Sequence, residues 1–217
     1  IYNNNNILSI TEAHDQTMWF GHRRGVSSFD GKTFKTLSVA DGLGSNNVHA
    51  VYETKDRNMW FGVWGGQEGS LSRYDGKTLK TFNRSDELKT NNVPTIYQSS
   101  DDSLWLATYE NGVFWYDGQH FTQFTTDNGL ASNNVSWLYV TDSFIESVDG
   151  TIWCRSREGP LSRYDGQQFT PVTTRDGIIG DFVSCMYKSR DGTVWFGTEG
   201  GVTSYDGRKY FSLSKED

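Results

Sequence analysis

The chain has 217 residues, 35% of them hydrophobic and 15% aromatic, with a formal net charge of −7. An acidic chain with no stripe of aromatics flanked by Lys or Arg argues against nucleic acid, whose phosphates need a basic face. Two cysteines, Cys154 and Cys185, exclude a disulfide framework and a four-cysteine metal site, and no run of about 18 apolar residues is present to span a membrane.

The chain opens at Ile1 with neither an initiator Met nor a signal peptide, the pattern of a mature or excised piece. Along it, one unit recurs five times. Trp19, Trp60, Trp105, Trp153 and Trp195 each follow an Asp by four residues: Asp15, Asp56, Asp101, Asp149 and Asp191. A second series reads Phe29-Asp30-Gly31, Tyr74-Asp75-Gly76, Tyr116-Asp117-Gly118, Tyr164-Asp165-Gly166 and Tyr205-Asp206-Gly207. The Trp spacings of 41, 45, 48 and 42 residues mark a repeat architecture and leave no separate second domain. Ten of the 27 acidic residues are these turn aspartates, so much of the acidity is turn chemistry.

The second repeat shows what one unit folds into. Residues 46–53 alternate β-branched, aromatic and small side chains as a buried strand A does, and Asp56 turns the chain into strand B at 59–62. After a Gly-rich loop, strand C (71–74) leads through Asp75-Gly76 into strand D (77–82), with a two-residue type I′ turn expected because both central positions would take positive φ. No helical periodicity appears. Four short antiparallel strands at this period predict an all-β fold, a β-propeller of five four-stranded antiparallel blades at about 1–41, 42–86, 87–128, 129–176 and 177–217. The repeat Trp are expected between blades, and both cysteines are expected as buried free thiols.

From Phe34 to Val48, Leu79 to Val93, Phe121 to Val135 and Phe169 to Val183 the D-to-A separation is 14 residues each time. In that register Asp217 matches Asp41 and Ile1 matches Gly42. A closed five-bladed ring is the expectation, because an open one would expose the faces of blades one and five. The alternative is a five-blade slice of a longer, seven-bladed propeller. Blade four has six extra residues between Leu138 and Trp153, placing 142–148 on an excursion whose Phe144, Ile145 and Val148 either meet a protein partner or fold back on the neighbouring blade. Trp137 would then stand where Ser9, Ala50, Thr95 and Cys185 stand.

The run Asp191-Gly192-Thr193-Val194-Trp195-Phe196-Gly197-Thr198 with Gly200-Gly201-Val202 and Tyr205-Asp206-Gly207 resembles the two-component regulator propeller repeat, and the resemblance covers the whole chain. It implies the ligand-sensing part of a hybrid sensor kinase, periplasmic or extracellular, often responsive to glycans and usually seven-bladed. Two other families are less well matched. The 189–195 turn is similar to the Asp box of sialidases but one residue shorter, and their arginine cluster and Tyr nucleophile find no counterpart. Streptogramin lyases share this type of propeller and need a catalytic His with a metal, yet His14, His22, His49 and His120 occupy four different repeat positions, with only His22 expected at the site.

The B-to-C loops differ in every blade, and variable loops on a rigid scaffold are where binding residues sit. They offer His22, Arg23 and Arg24 in blade one, Trp64, Gln67 and Glu68 in blade two, and Tyr109, Glu110 and Asn111 in blade three. Blades four and five add Arg155, Arg157, Glu158 and Glu199. Aromatic platforms beside Arg and carboxylate groups suit a small polar or carbohydrate ligand. No nucleophile, base and orienter fall together on one face, so a non-enzymatic binding or sensor propeller is expected, with no cofactor. Single turn aspartates supply too few oxygens for calcium, so no metal site is expected either.

Overall fold

The computed structural model describes residues 6–65, 70–135, 143–157 and 159–214. Its strands form five four-stranded antiparallel sheets, one per repeat. Blade one holds β1 (Ile7–Glu12), β2 (Met18–His22), β3 (Gly25–Phe29) and β4 (Phe34–Leu37); blade two holds β5 (Val48–Glu53), β6 (Met59–Val63), β7 (Leu71–Tyr74) and β8 (Leu79–Phe82). Blade three holds β9 (Thr95–Gln98), β10 (Leu104–Ala107), β11 (Val113–Tyr116) and β12 (Phe121–Phe124). Blade four holds β13 (Phe144–Glu146), β14 (Ile152–Cys154), β15 (Leu161–Tyr164) and β16 (Phe169–Val172), and blade five β17 (Val183–Lys188), β18 (Val194–Thr198), β19 (Gly201–Tyr205) and β20 (Tyr210–Ser214).

The core lies between sheets. The described residues form four buried clusters, each shared by two neighbouring blades. Trp19 packs on Phe61 and Tyr74, Trp60 on Tyr116, Trp105 on Tyr164 and Phe169, and Trp153 on Phe196 and Tyr205, with ring centroids 4.9 to 6.0 Å apart. Such pairs add about 0.5–1.5 kcal/mol each beyond the area they bury. A buried indole N–H also needs an acceptor, and the turn before the Trp supplies one. Nε1 donates to Thr54 Oγ1 in blade two (3.2 Å), Ser99 Oγ in blade three (3.1 Å) and Ser147 Oγ in blade four (3.0 Å).

The Asp-Gly hairpins differ from the type I′ expectation. Phe29 pairs with Phe34 and Tyr74 with Leu79, so four residues separate the strands, and strand D of blade two starts at Leu79. Gly76 has φ 91°, whereas Asp75 is not among the residues with positive φ. The reason lies in the Asp side chain. Asp75 Oδ1 accepts from the N–H groups of Lys77 (2.8 Å) and Thr78 (2.7 Å), which closes the turn without a second left-handed residue. Those bonds, with the Thr78 N–H first, hold the Asp75 carboxyl down at about 2.

The constant D-to-A spacing reflects a 3-10 turn in each connection, at Val39–Asp41, Arg84–Asp86, Thr126–Asn128 and Thr174–Asp176. In each, the residue just before the turn donates its backbone N–H to a side chain three residues on: Ser38 to Asp41, Asn83 to Asp86, Thr125 to Asn128 and Thr173 to Asp176. Leu43, Leu88, Leu130 and Ile178 then plug the seams between blades.

Blade four departs from expectation. Phe144–Glu146 is not an excursion but the innermost strand, pairing Ile145 with Trp153, and Phe144 is buried. The position matching Thr95 is therefore Ser143, whose Oγ lies 3.3 Å from Thr95 Oγ1; Trp137 and Asp142 fall outside the described residues. Val148 folds against blade five, close to Gly192 and Gly207.

Expected ring closure is absent among the described residues. Ile10 and Phe34 on blade one are exposed, as are Tyr187 and Phe211 on blade five. Both cysteines are free, but Cys185 is exposed and only Cys154 is buried.

Candidate functional site

The innermost strands border an axial cavity of about 470 Å³, lined by Ser9, His49, Ala50, Thr95 and Tyr97 among others. His49 reaches it because of a break in strand register. The pairing of β5 with β6 slips between Val48 and Ala50, and the bulged residue is His49. A bulge re-aims the side chain it carries. The imidazole is buried, with Nε2 3.2 Å from Asn47 Oδ1, and its pKa is pushed down to about 4, first by burial and then by Arg23. It is therefore neutral at pH 7.

Two aromatic rings stand beside it. Trp64 lies 5.8 Å from the His49 ring and 5.2 Å from Tyr109, joining blades two and three. Trp64 is fixed by its backbone, which donates to Asn47 O (2.9 Å) and bridges Asn92, whose Oδ1 accepts from Gly65 N (2.8 Å). Both rings are half-buried, leaving part of each face to solvent. Arg23, exposed on blade one, contributes positive charge toward His49.

The other expected site residues lie elsewhere or carry structural bonds. His22 and Arg24 line a separate cavity of about 440 Å³ with Phe20 and Phe34 on the outer face of blade one. His22 Nδ1 accepts from Arg24 N and Nε2 lies 2.9 Å from Ser27 Oγ; burial and then Arg24 lower its pKa. Glu110 occupies a turn with φ 68°, and the Asn111 carbonyl accepts from Gln123 Nε2. Arg155 Nη1 donates to Ser184 O (2.6 Å), tying blade four to the bulge of blade five, and Arg157 N donates to Asn134 O. Glu199 accepts from the N–H groups of Asp181 (3.1 Å) and Phe182 (3.2 Å). Gln67, Glu68 and Glu158 lie outside the described residues.

Trp64 and Tyr109, from the loops of blades two and three, thus lie side by side, and His49, which was not expected at the site, lies next to Trp64. Among the described residues no group of three His, Cys, Asp or Glu is placed to hold a metal ion, and no helix is long and apolar enough to cross a membrane.

Comparison with known proteins agrees with the blade architecture. The two-component regulator propeller model matches residues 42–65, 87–110 and 177–200, the A-to-B part of blades two, three and five. No curated protein matches the sequence. Among solved structures, the extracellular domain of the hybrid two-component system BT3049 from B. thetaiotaomicron superposes with a TM-score of 0.73 at 20% identity, covering 99% of this chain and 29% of that one. The extracellular domain of BT4673 from the same organism gives 0.72 at 19% identity, covering 97% and 31%. Virginiamycin B lyase from Staphylococcus aureus gives 0.66 at 12% identity, covering 100% and 73%. At these identities the likeness is one of fold, shared by sensors and an enzyme alike. The chain spans less than a third of the sensor domains it matches. The two-component regulator propeller model thus matches one strand pair in each of three blades, and all five sheets share the blade geometry.

Proposed function

We propose that the chain is a non-enzymatic, sensor-type binding propeller acting outside the cytoplasm, which takes a small polar or carbohydrate ligand at the mouth of the axial cavity beside blades two and three. The observation that carries this reading is the Trp64–Tyr109 pair, 5.2 Å apart and joined to the cavity wall through His49. Half-exposed rings offer flat apolar faces to a sugar, and Arg23 adds a guanidinium for a polar or anionic substituent. The extracellular placement of the similar sensor domains supports the location.

A screen on a glycan array followed by titration calorimetry of the hits tests the site. Trp64→Ala and Tyr109→Ala are each expected to weaken binding by about tenfold or more. Unchanged affinity in the double variant would reject it. A second reading is a protein contact through 142–148, where Phe144 is inside the blade but Val148, beside Gly192 and Gly207 of blade five, is 58% exposed. Capture of a partner that is lost on Val148→Asp would favour it instead.

A further inference from the structure

Blade one breaks the pattern that seats the buried Trp. In blades two, three and four a single turn hydroxyl accepts from the indole Nε1 and donates to the turn Asp: Thr54 between Trp60 and Asp56, Ser99 between Trp105 and Asp101, and Ser147 between Trp153 and Asp149. Blade five has Ser189 at that position, bonded to Asp191. In blade one the residue is Ala13. Trp19 is only 8% exposed, yet among the described residues its Nε1 reaches no acceptor, and Asp15, which accepts from Thr17 N (2.9 Å), has no turn hydroxyl beside it. A buried indole N–H and a carboxylate that share one partner elsewhere are here left without it.

Ala13, Asp15 and Trp19 all line a cavity of about 230 Å³ in the seam between blades one and two, which Glu53, Arg57 and Tyr74 border from blade two. Asp75 and Gly76 also line it, so it lies among the hairpins, whereas Trp64 and Tyr109 stand in the B-to-C loops. Tyr74 does not replace the lost donor to Asp15. Its hydroxyl donates to its own Gly76 O (2.8 Å), whereas Tyr205 of blade five donates to Asp149 of the preceding blade (2.9 Å). On the rim, Glu53 Oε2 accepts from His14 N (2.7 Å) and lies 3.9 Å from Arg57 Nη1.

We infer that this cavity is a second binding site, for a small neutral polyol or a single sugar unit, in which a ligand hydroxyl takes the place of the side-chain hydroxyl that Ala13 lacks. The group seated between Trp19 and Asp15 has to accept from an N–H and donate to a carboxylate. A hydroxyl does both, whereas an ammonium cannot accept and an ionised carboxylate cannot donate. Asp15, Glu53 and Asp75 outnumber Arg57 around the cavity and further disfavour an anion. The volume lies below the roughly 300–1,000 Å³ of sites for drug-sized ligands, which limits the occupant to about one ring. Glu53 and Arg57 offer an acceptor and a donor to its other hydroxyls. The site is separate from the one at Trp64 and Tyr109, and neither requires the other.

The test reads the Trp19 indole directly. Protein carrying isotope-labelled tryptophan is titrated with glycerol and with methyl β-glucopyranoside while the assigned indole N–H signals are followed by NMR. The expected result is a saturable shift of the Trp19 signal. Ala13→Ser supplies the hydroxyl from the chain itself, and should weaken that binding by about tenfold or more while the other indole signals, which report the fold, stay in place. Trp64→Ala with Tyr109→Ala should leave the Trp19 shift unchanged, so that loss of the axial site and loss of this one are told apart. A Trp19 signal that does not move, or moves only linearly with either probe, means that water alone fills the seat and overturns the inference. So does a saturable shift that persists undiminished in Ala13→Ser.

Discussion

At the scale of single residues, the chain separates side chains that hold structure from those free to recognise something. The repeat Trp belong to the first group, and Ser147 shows how completely: its hydroxyl accepts from Trp153 Nε1 and donates to Asp149 Oδ1 (2.6 Å). Ser147→Ala leaves a buried indole N–H without its acceptor and should destabilise by about 1–3 kcal/mol, measured by urea unfolding. His49, buried and bonded to Asn47, reports on its surroundings through pH. Its pKa is about 4 folded against 6.5 as the ordinary value, so the unfolded chain binds the proton more readily. Its contribution to stability is therefore complete above about pH 6.5 and is lost progressively as pH falls toward 4. His49→Gln should remove that part of the dependence in unfolding midpoints compared at pH 7 and pH 5. Trp64 and Tyr109 were legible as loop aromatics because nothing in the repeat requires them. His49 was not, since its direction depends on a one-residue slip between strands that no period-2 pattern reveals.

At the scale of elements, the glycines distinguish turn geometry from close packing. Gly76 has φ 91° with nothing within 4 Å of an added Cβ, so Gly76→Ala meets backbone strain alone and should cost about 1 kcal/mol. Gly62 has ordinary backbone angles, but an added Cβ would lie 2.1 Å from Val93 O on the connection into blade three. Gly62→Ala must push blades apart and should cost clearly more than Gly76→Ala in the same unfolding assay. The Asp-Gly sequence announced a hairpin in every blade, and the hairpin is there. Its type was misjudged because Asp75 closes the turn with its carboxylate, an interaction that backbone propensity does not describe. Blade four misled for a related reason. Counting residues located the extra length, but only pairing with β14 shows that Phe144–Glu146 is the innermost strand.

At the scale of the molecule, burial follows a residue's place in the row of blades more than its type. Val113 and Val202 occupy one repeat position, the first fully buried and the second 39% exposed. Val202→Lys should change stability by no more than about 0.5 kcal/mol, whereas Val113→Lys buries a charge without a partner and should prevent folding, as far-UV and near-UV circular dichroism would show. Five repeats, their strands and the positions of their aromatics were determined by the sequence alone, because each feature is local and recurs at a fixed spacing. Tertiary structure decided the rest: which blade faces are covered, which polar loop residues are tied into the scaffold, and that the rings of Trp64, Tyr109 and His49 stand together. Those outcomes depend on contacts between neighbouring sheets, and two chains with the same local pattern could differ in all of them.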